Sequence, residues 1–322
     1  MSCQVTAISS YVPHRIITNA YFEKLVETSD EWIQTRTGII ERRFTAENEY
    51  TTHLCYRAAR NLVEERPDIR LEDVDFIMVA TSTPDHSVPS VASQVQNELG
   101  IKNCGTLDIA SACAGFVYGL TLAKGLIAAG THRKILVFGA ENLSRYLDLN
   151  NRNLCILFGD AAGVALIEAS ELNKLFAPIS GTEGSMGKDL YRSSLSTKIN
   201  NVPAFADGKT HQNGRVVFKW VVQNISENLL RLAEKNQISL NQIDWIILHS
   251  ANLRIIEAVS RQIDFPMEKM LQSIQYFGNT SSASIPLAWH QGLKNGKLKP
   301  GDKMLLMGFG GGMTYAGIML EC

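Results

Sequence analysis

Nowhere in its 322 residues does this chain carry a Cys-x-x-Cys pair or histidines clustered at zinc-ligand spacing. Those absences argue against a structural zinc site and against a dithiol redox centre. Six cysteines stand at positions 3, 55, 104, 113, 155 and 322, too scattered for a disulfide framework. They fit reduced thiols in a cytoplasmic enzyme, most of them small core residues. Apolar runs such as Asp75–Ala80 and Ile243–Leu248 fall far short of the roughly 20 residues a membrane span needs. The opening stretch Met1-Ser2-Cys3-Gln4-Val5-Thr6-Ala7-Ile8 lacks the basic region and long apolar core of a signal peptide. An excess of either charge is also missing: 31 Lys and Arg against 32 Asp and Glu leave a formal net charge of −1. A grossly basic nucleic-acid binder is thereby excluded, although a local basic patch is not. No low-complexity tract or heptad repeat occurs.

What the chain does have is an ordinary globular composition, 45% apolar and 20% charged, and enough length for two domains or two similar halves. Leu71-Glu72-Asp73-Val74-Asp75-Phe76-Ile77-Met78-Val79-Ala80 reads as a turn followed by a buried strand. Leu240-Asn241-Gln242-Ile243-Asp244-Trp245-Ile246-Ile247-Leu248-His249 repeats it at an offset of 169 (240 − 71). The strand Arg133–Gly139 has its counterpart in Asp302–Gly308 at the same offset (302 − 133). One shared offset for two independent strands points to a duplicated unit, with its junction near Ala169–Ile179. The halves are then 1–170 and 171–322. Phe116, Leu120, Ala123 and Ile127 recur at helical spacing, as do Ile285, Ala288 and Leu293 after the Gly-Asn-Thr turn. Strands alternating with helices predict α/β architecture, with strand ends and a shared site where the halves meet. Gly181–Gly214, rich in Gly, Ser and Asn, reads as a long loop.

Thr106–Ser111 is expected to be a strand, which places Cys113 at the turn into a nearly all-apolar helix ending near Gly130. A thiol there feels the positive end of the helix dipole, which favours the thiolate. Ala112, Ala114 and Gly115 leave room for a substrate. These residues alone leave a nucleophile and a buried structural cysteine equally open. His249 follows the buried strand Trp245–Leu248, at the strand end where α/β sites form, although a lone histidine is more often a core residue. Asn279 lies in a turn before a helix, where asparagine is usually a cap. Gly308-Phe309-Gly310-Gly311-Gly312 could aim backbone N–H groups at an oxyanion or simply form a tight turn. It is not a dinucleotide fingerprint, because Met313 stands at the sixth position. Thr28–Ile39 reads as a short capped helix running into a turn. Trp32 and Arg36, four apart on it, could sandwich an adenine or merely pack together. Trp220 and Lys219 are similarly ambiguous.

In order along the chain stand TSDEWIQTRTGIIERR (Thr28–Arg43), DIASACAG (Asp108–Gly115), FGDAAG (Phe158–Gly163), HSANLRI (His249–Ile255), YFGNTSSASIP (Tyr276–Pro286) and GFGGG (Gly308–Gly312). Together they resemble β-ketoacyl-[acyl-carrier-protein] synthase III, a condensing enzyme of the thiolase fold, over essentially the whole chain. The resemblance implies two duplicated α/β halves packed as αβαβα layers, and a homodimer. It implies Cys113 as nucleophile, His249 and Asn279 as its partners, and the N–H groups of Cys113 and Gly311 as oxyanion donors. Acyl transfer from CoA to Cys113 would precede decarboxylation of malonyl-acyl-carrier-protein. Attack of the resulting carbanion on acyl-Cys113 would give a 3-oxoacyl-carrier-protein, CoA and CO2, with no metal or redox cofactor. Trp32 and Arg152 would bracket the CoA adenine, with Thr28 and Arg36 close by. Lys219, Arg254 and Arg261 would form the basic rim for the acidic carrier protein, although a solvated helix face explains the two arginines nearly as well.

The chain departs from that pattern in three places. Ser250 stands where the family usually has Gln, and Gly184–Ala206 matches the family's Gly/Pro-rich middle loop poorly. Val88 falls where some members carry a Phe that closes the acyl pocket across the dimer, so a branched starter is expected to fit. Each buried methylene adds about 0.8 kcal/mol to such selectivity. A biosynthetic thiolase would need a second cysteine where Met307, Gly308 and Phe309 stand. Synthases I and II would need a second histidine where Asn279 stands. The alternatives are chalcone-type polyketide synthases, condensing enzymes of secondary metabolism on the same fold, a papain-like hydrolase, and a non-catalytic acyl-CoA-binding protein.

Overall fold

Successive side chains of a strand point to opposite faces, so a strand covered on both sides must be apolar throughout and feeds two cores. In the computed structural model, which describes residues 1–322, Met78 and Ala80 of strand Phe76–Ala80 enter a central core. Ile77 and Val79 of the same strand enter an outer one. Strand Lys134–Glu141 divides the same way, with Ile135 and Val137 central and Leu136 and Phe138 outer. In the second half Met304 and Leu306 are central, whereas Leu305 and Met307 feed a third core.

Two five-stranded sheets result, with the same strand order. The first runs Ser2–Tyr11, Ala161–Ser170, Lys134–Glu141, Phe76–Ala80, Gly105–Ile109. The second runs Ile179–Thr182, Thr314–Glu321, Lys303–Gly310, Trp245–Leu248, Met270–Leu271. Helices Gly115–Ala128 and Ser284–Lys294 fill the space between the sheets. Thr51–Glu65 and Val91–Glu98 cover the outside of the first sheet, and Gly214–Lys235 and Leu253–Gln262 that of the second. This is the αβαβα layering of the thiolase fold. The repeat extends to the pairing register: Phe76 pairs with Ile135, and Trp245 with Met304, each residue 169 after its counterpart (245 − 76, 304 − 135).

The N-terminal motif folds as its residues dictate. Ser29 Oγ accepts from the Trp32 N–H at 3.1 Å and caps helix Asp30–Thr37, which ends at Gly38 with φ 77°. Arg42 is fully buried, donating to Asn19 Oδ1 at 2.8 Å and to the Ile156 carbonyl at 2.5 Å. It ties the N-terminal segment to the segment ahead of Phe158.

Two expectations need correction. Gly181–Gly214 is not an unstructured loop: Leu190–Arg192 pairs with Thr210–Gln212, and Lys198–Ile199 with Val202–Pro203. Ladders of two or three residues leave no readable alternation in a Gly/Ser/Asn-rich stretch. The strand expected over Asp302–Gly308 runs on to Gly310, so that Gly308 and Gly310 both lie within Lys303–Gly310 rather than in a tight turn. No helix is long and apolar enough to cross a membrane.

Candidate active site

Strand Gly105–Ile109 ends just before a single 3-10 turn, Ala112–Ala114, which leads directly into helix Gly115–Ala128. Ala112 is held at φ 46°, a conformation costly for a residue with a Cβ. That bend sets Cys113 at the head of the helix with its side chain turned into a cavity of about 520 Å³. His249 and Asn279 line the same cavity. The sequence therefore named three residues, far apart in the chain, that the fold does bring together.

His249 sits just past strand Trp245–Leu248, its N–H donating to the Met307 carbonyl at 2.9 Å. Its Nδ1 lies 2.7 Å from Ser284 Oγ, and Phe309 packs edge-on at 5.2 Å. Burial pushes the imidazole down to about 3, outweighing a hydrogen bond to the Ser281 backbone, so the ring is neutral at physiological pH. Asn279 is not a helix cap here. Its N–H donates to the Leu157 carbonyl at 2.8 Å, and its Oδ1 accepts from the Ser281 N–H at 2.9 Å. With the oxygen so occupied, the Nδ2 group is the one left to donate into the cavity.

The thiol does not behave as the helix dipole alone would suggest. Burial pushes Cys113 up to about 12, against a lowering hydrogen bond with the Ser281 side chain and with a smaller raising contribution from the nearby Glu141 charge. The resting thiol is protonated, because desolvation in this closed pocket outweighs the dipole.

The cavity mouth holds the residues expected to meet CoA. Trp32 and Arg36 line it, with the Arg36 guanidinium 5.8 Å from the indole centroid. Arg152 lies 5.1 Å from the same centroid and donates to the Glu27 carbonyl at 2.9 Å. A flat ring needs about 3.5 Å on each face, so Arg152 must move outwards to admit an adenine. Thr28 is nearby in sequence but outside the cavity lining, its Oγ1 buried without a partner. Arg254 and Arg261 border a shallow groove beside Phe218, and Lys219 is exposed on the neighbouring helix. Arg254 is anchored by donating to the Thr35 carbonyl at 2.7 Å. Val88 lies outside the cavity of its own chain and is 86% exposed.

Other neighbours of Cys113 had no role of their own in the sequence, Gly310 standing there only as one of the Gly308–Gly312 run. Gly310 presses on the nucleophile: a Cβ there would stand 2.8 Å from the Cys113 nitrogen and 3.1 Å from its sulfur. Gly311, read as an oxyanion donor, lines the cavity, and a Cβ added there would stand 2.8 Å from the Leu190 carbonyl oxygen. Ser281 and Glu141 were missed because nothing local marks a serine in a Ser-rich turn, or a glutamate ending a strand. Ser250, the departure in the histidine motif, is fully buried and accepts from the Ser273 N–H at 3.0 Å.

Two family models match the chain: 3-oxoacyl-[acyl-carrier-protein (ACP)] synthase III over residues 107–184, and the C-terminal part of that family over residues 233–322. Among curated relatives, β-ketoacyl-[acyl-carrier-protein] synthase III 2 of Halalkalibacterium halodurans is 47% identical over 99% of this chain and 96% of its own. The protein of that name from Bacillus subtilis is also 47% identical, over 99% of this chain and 98% of its own. Among solved structures, β-ketoacyl-[acyl carrier protein] synthase III of Thermus thermophilus superposes with a TM-score of 0.95 at 38% identity, covering 99% of this chain and 98% of that one. The priming β-ketosynthase of the R1128 polyketide pathway superposes with a TM-score of 0.93 at 30% identity, over 99% of this chain and 96% of that one. Full-length identity at this level makes this chain, with its Cys113-His249-Asn279 cavity, a member of the β-ketoacyl-[acyl-carrier-protein] synthase III family.

Proposed function

We propose that this chain starts fatty-acid synthesis by joining the acyl group of an acyl-CoA to malonyl-acyl-carrier-protein. The observation that carries this reading is the convergence of Cys113, His249 and Asn279 on one cavity with Trp32 and Arg36 at its mouth. Cys113 takes the acyl group as a thioester, and the N–H groups of Cys113 and Gly311 receive the tetrahedral oxyanion. CoA leaves past Trp32, Arg36 and Arg152, with Thr28 beside them. Malonyl-acyl-carrier-protein then enters with its acidic carrier against Lys219, Arg254 and Arg261.

Loss of CO2 places negative charge on the malonyl thioester oxygen. A neutral imidazole and a carboxamide N–H can both donate to that oxygen without themselves bearing charge, which suits His249 and Asn279. The carbanion attacks acyl-Cys113, the thiolate leaves, and a 3-oxoacyl product forms. Because decarboxylation itself generates the carbanion, this chemistry calls for no metal or redox cofactor.

The halves 1–170 and 171–322 then divide the labour, the first bringing the nucleophile and the second His249, Asn279 and the Gly-rich turn. The free edge of strand Gly105–Ile109, with Leu107 exposed, supports pairing with a second copy. In such a homodimer the exposed Val88 reaches the partner's acyl pocket, where its small size admits a branched starter.

Product mass spectrometry tests the reading, with malonyl-acyl-carrier-protein and equal acetyl-CoA and isobutyryl-CoA. A 3-oxoacyl-carrier-protein product is expected, with the branched one in excess. Acylation of Cys113 without any condensed product would instead favour the secondary-metabolism condensing enzymes of this fold.

A further inference from the structure

Glu141 ends strand Lys134–Glu141 in complete burial, with no Lys, Arg or His within ion-pair distance. It is held by donors alone: the Ser82 N–H at 3.1 Å, Thr83 Oγ1 at 2.8 Å and Ser281 Oγ at 3.0 Å, while Ser282 Oγ, 3.4 Å away, donates to the Ala80 carbonyl at 2.8 Å. A carboxylate buried without a cation is expensive to keep, and three donors only partly offset that cost. Ser281 links it to the chemistry. Its hydroxyl donates to Glu141 and, in the cavity lining it shares with Cys113, draws the thiol downwards; its N–H fixes Asn279, and its backbone draws the His249 imidazole upwards. Like Ala112, it is held at positive φ, 49°. The repeat offers no structural reason for the pair. The residue matching Glu141 in the second half is Gly310, and the one matching Ser281 in the first is Ala112, both at the 169-residue offset (310 − 141, 281 − 112).

Resting on the reading of Cys113 as nucleophile, we propose that Glu141 is the proton acceptor for the Cys113 thiol, acting through the Ser281 hydroxyl. The S–H bond breaks as its proton passes to Ser281 Oγ, and the former Ser281 proton passes to Glu141 Oε1. The sulfur lone pair meanwhile forms the C–S bond to the acyl carbonyl. CoA then leaves as its thioester bond breaks, and the departing sulfur takes the proton from the new carboxylic acid. Coupling is built in, because the Glu141 charge helps to hold the thiol up, and proton transfer removes that charge. The charged and titratable groups bearing on Glu141 are Arg192 on strand Leu190–Arg192, Cys113 on its 3-10 turn and Cys55 on helix Thr51–Glu65. Burial leaves the Glu141 carboxyl at about 7, suited to exchange a proton near neutrality.

The test is the rate of Cys113 acylation by acyl-CoA with no malonyl donor present, read as a mass increase from pH 5 to 9. Wild type is expected to gain rate through about pH 7 and then level. Glu141→Gln keeps the shape but cannot take a proton. It should lose that inflection and fall about 100-fold at pH 7.5 with the KM for acyl-CoA unchanged. Ser281→Ala should match it. A wild-type inflection that survives Glu141→Gln, or a loss uniform with pH, overturns the proposal. Should either variant misfold, the wild type decides alone: acylation in H2O/D2O mixtures should depend quadratically on deuterium fraction, since two protons move. A linear dependence refutes the relay. Wild type that acylates but never condenses spares the relay and sinks the condensing reading, whereas no acylation at all overturns both.

Discussion

Ala112 and Ser281 occupy the same point of the two halves, 169 residues apart (281 − 112), and both are held at positive φ, 46° and 49°. Each bends a 3-10 turn at the head of a central helix, and the two turns face each other across the interface between the halves. Strand glycines make the approach possible, Gly308 against Cys113 and Ala114 and Gly139 against Ser282. The nucleophile thus sits where both halves press their tightest turns together.

Removal of the trio's members should separate the half-reactions. Cys113→Ala is expected to abolish the acyl-enzyme seen by mass spectrometry. Asn279→Ala should still acylate at near wild-type rate but release CO2 from malonyl-acyl-carrier-protein about 100-fold more slowly, the cost of one lost oxyanion donor. Equal loss of both steps in Asn279→Ala would place the residue in the acylation machinery instead.

Gly310→Ala puts a methyl 2.8 Å from the Cys113 nitrogen, where the neighbour is backbone and cannot yield. We expect acylation to fall at least tenfold while thermal unfolding shifts by only a few degrees. Activity within twofold of wild type would show that the turn bearing Cys113 can move aside.

Protonation of His249 links the site to acid stability. Its folded value, about 3, lies below the ordinary 6.5, so the unfolded chain takes up the proton first. The residue's contribution is whole above pH 6.5 and is lost as pH falls towards 3, by about 1.4 kcal/mol per unit. Urea midpoints should therefore fall more steeply below pH 6.5 for wild type than for His249→Gln. Parallel curves would mean the ring stays solvated.

The mouth residues predict a split by substrate. Trp32→Ala should raise the KM for acyl-CoA about tenfold, as expected for losing one stacked base. It should leave acylation by a short acyl-N-acetylcysteamine thioester unchanged, since that donor has no adenine. A matching loss with both donors would make Trp32 a wall of the cavity rather than a nucleotide platform.

Val88→Phe should reverse the starter preference from isobutyryl to acetyl in a competition assay, with total turnover on acetyl-CoA preserved. An unchanged product ratio would remove Val88 from the acyl pocket.

The amino-acid sequence by itself determined the α/β class, the 169-residue repeat and the motif set, because two-faced burial writes apolar strands legibly and a duplicated unit writes them twice. It also supplied Cys113, His249 and Asn279 as candidates, through the resemblance of the motifs that carry them, since the residues beside them left each role open. What it could not determine was the surroundings. Burial raises the Cys113 thiol against its helix dipole, and that follows only from packing the two halves together. Gly310 and Ser281 touch Cys113, and Glu141 bears on it through Ser281, although all three lie far from it in the chain and nothing beside them announces the contact. The short ladders within Gly181–Gly214 were hidden for a related reason: the pair Leu190–Arg192 and Thr210–Gln212 belongs to the cavity wall, and neither ladder has a periodicity of its own.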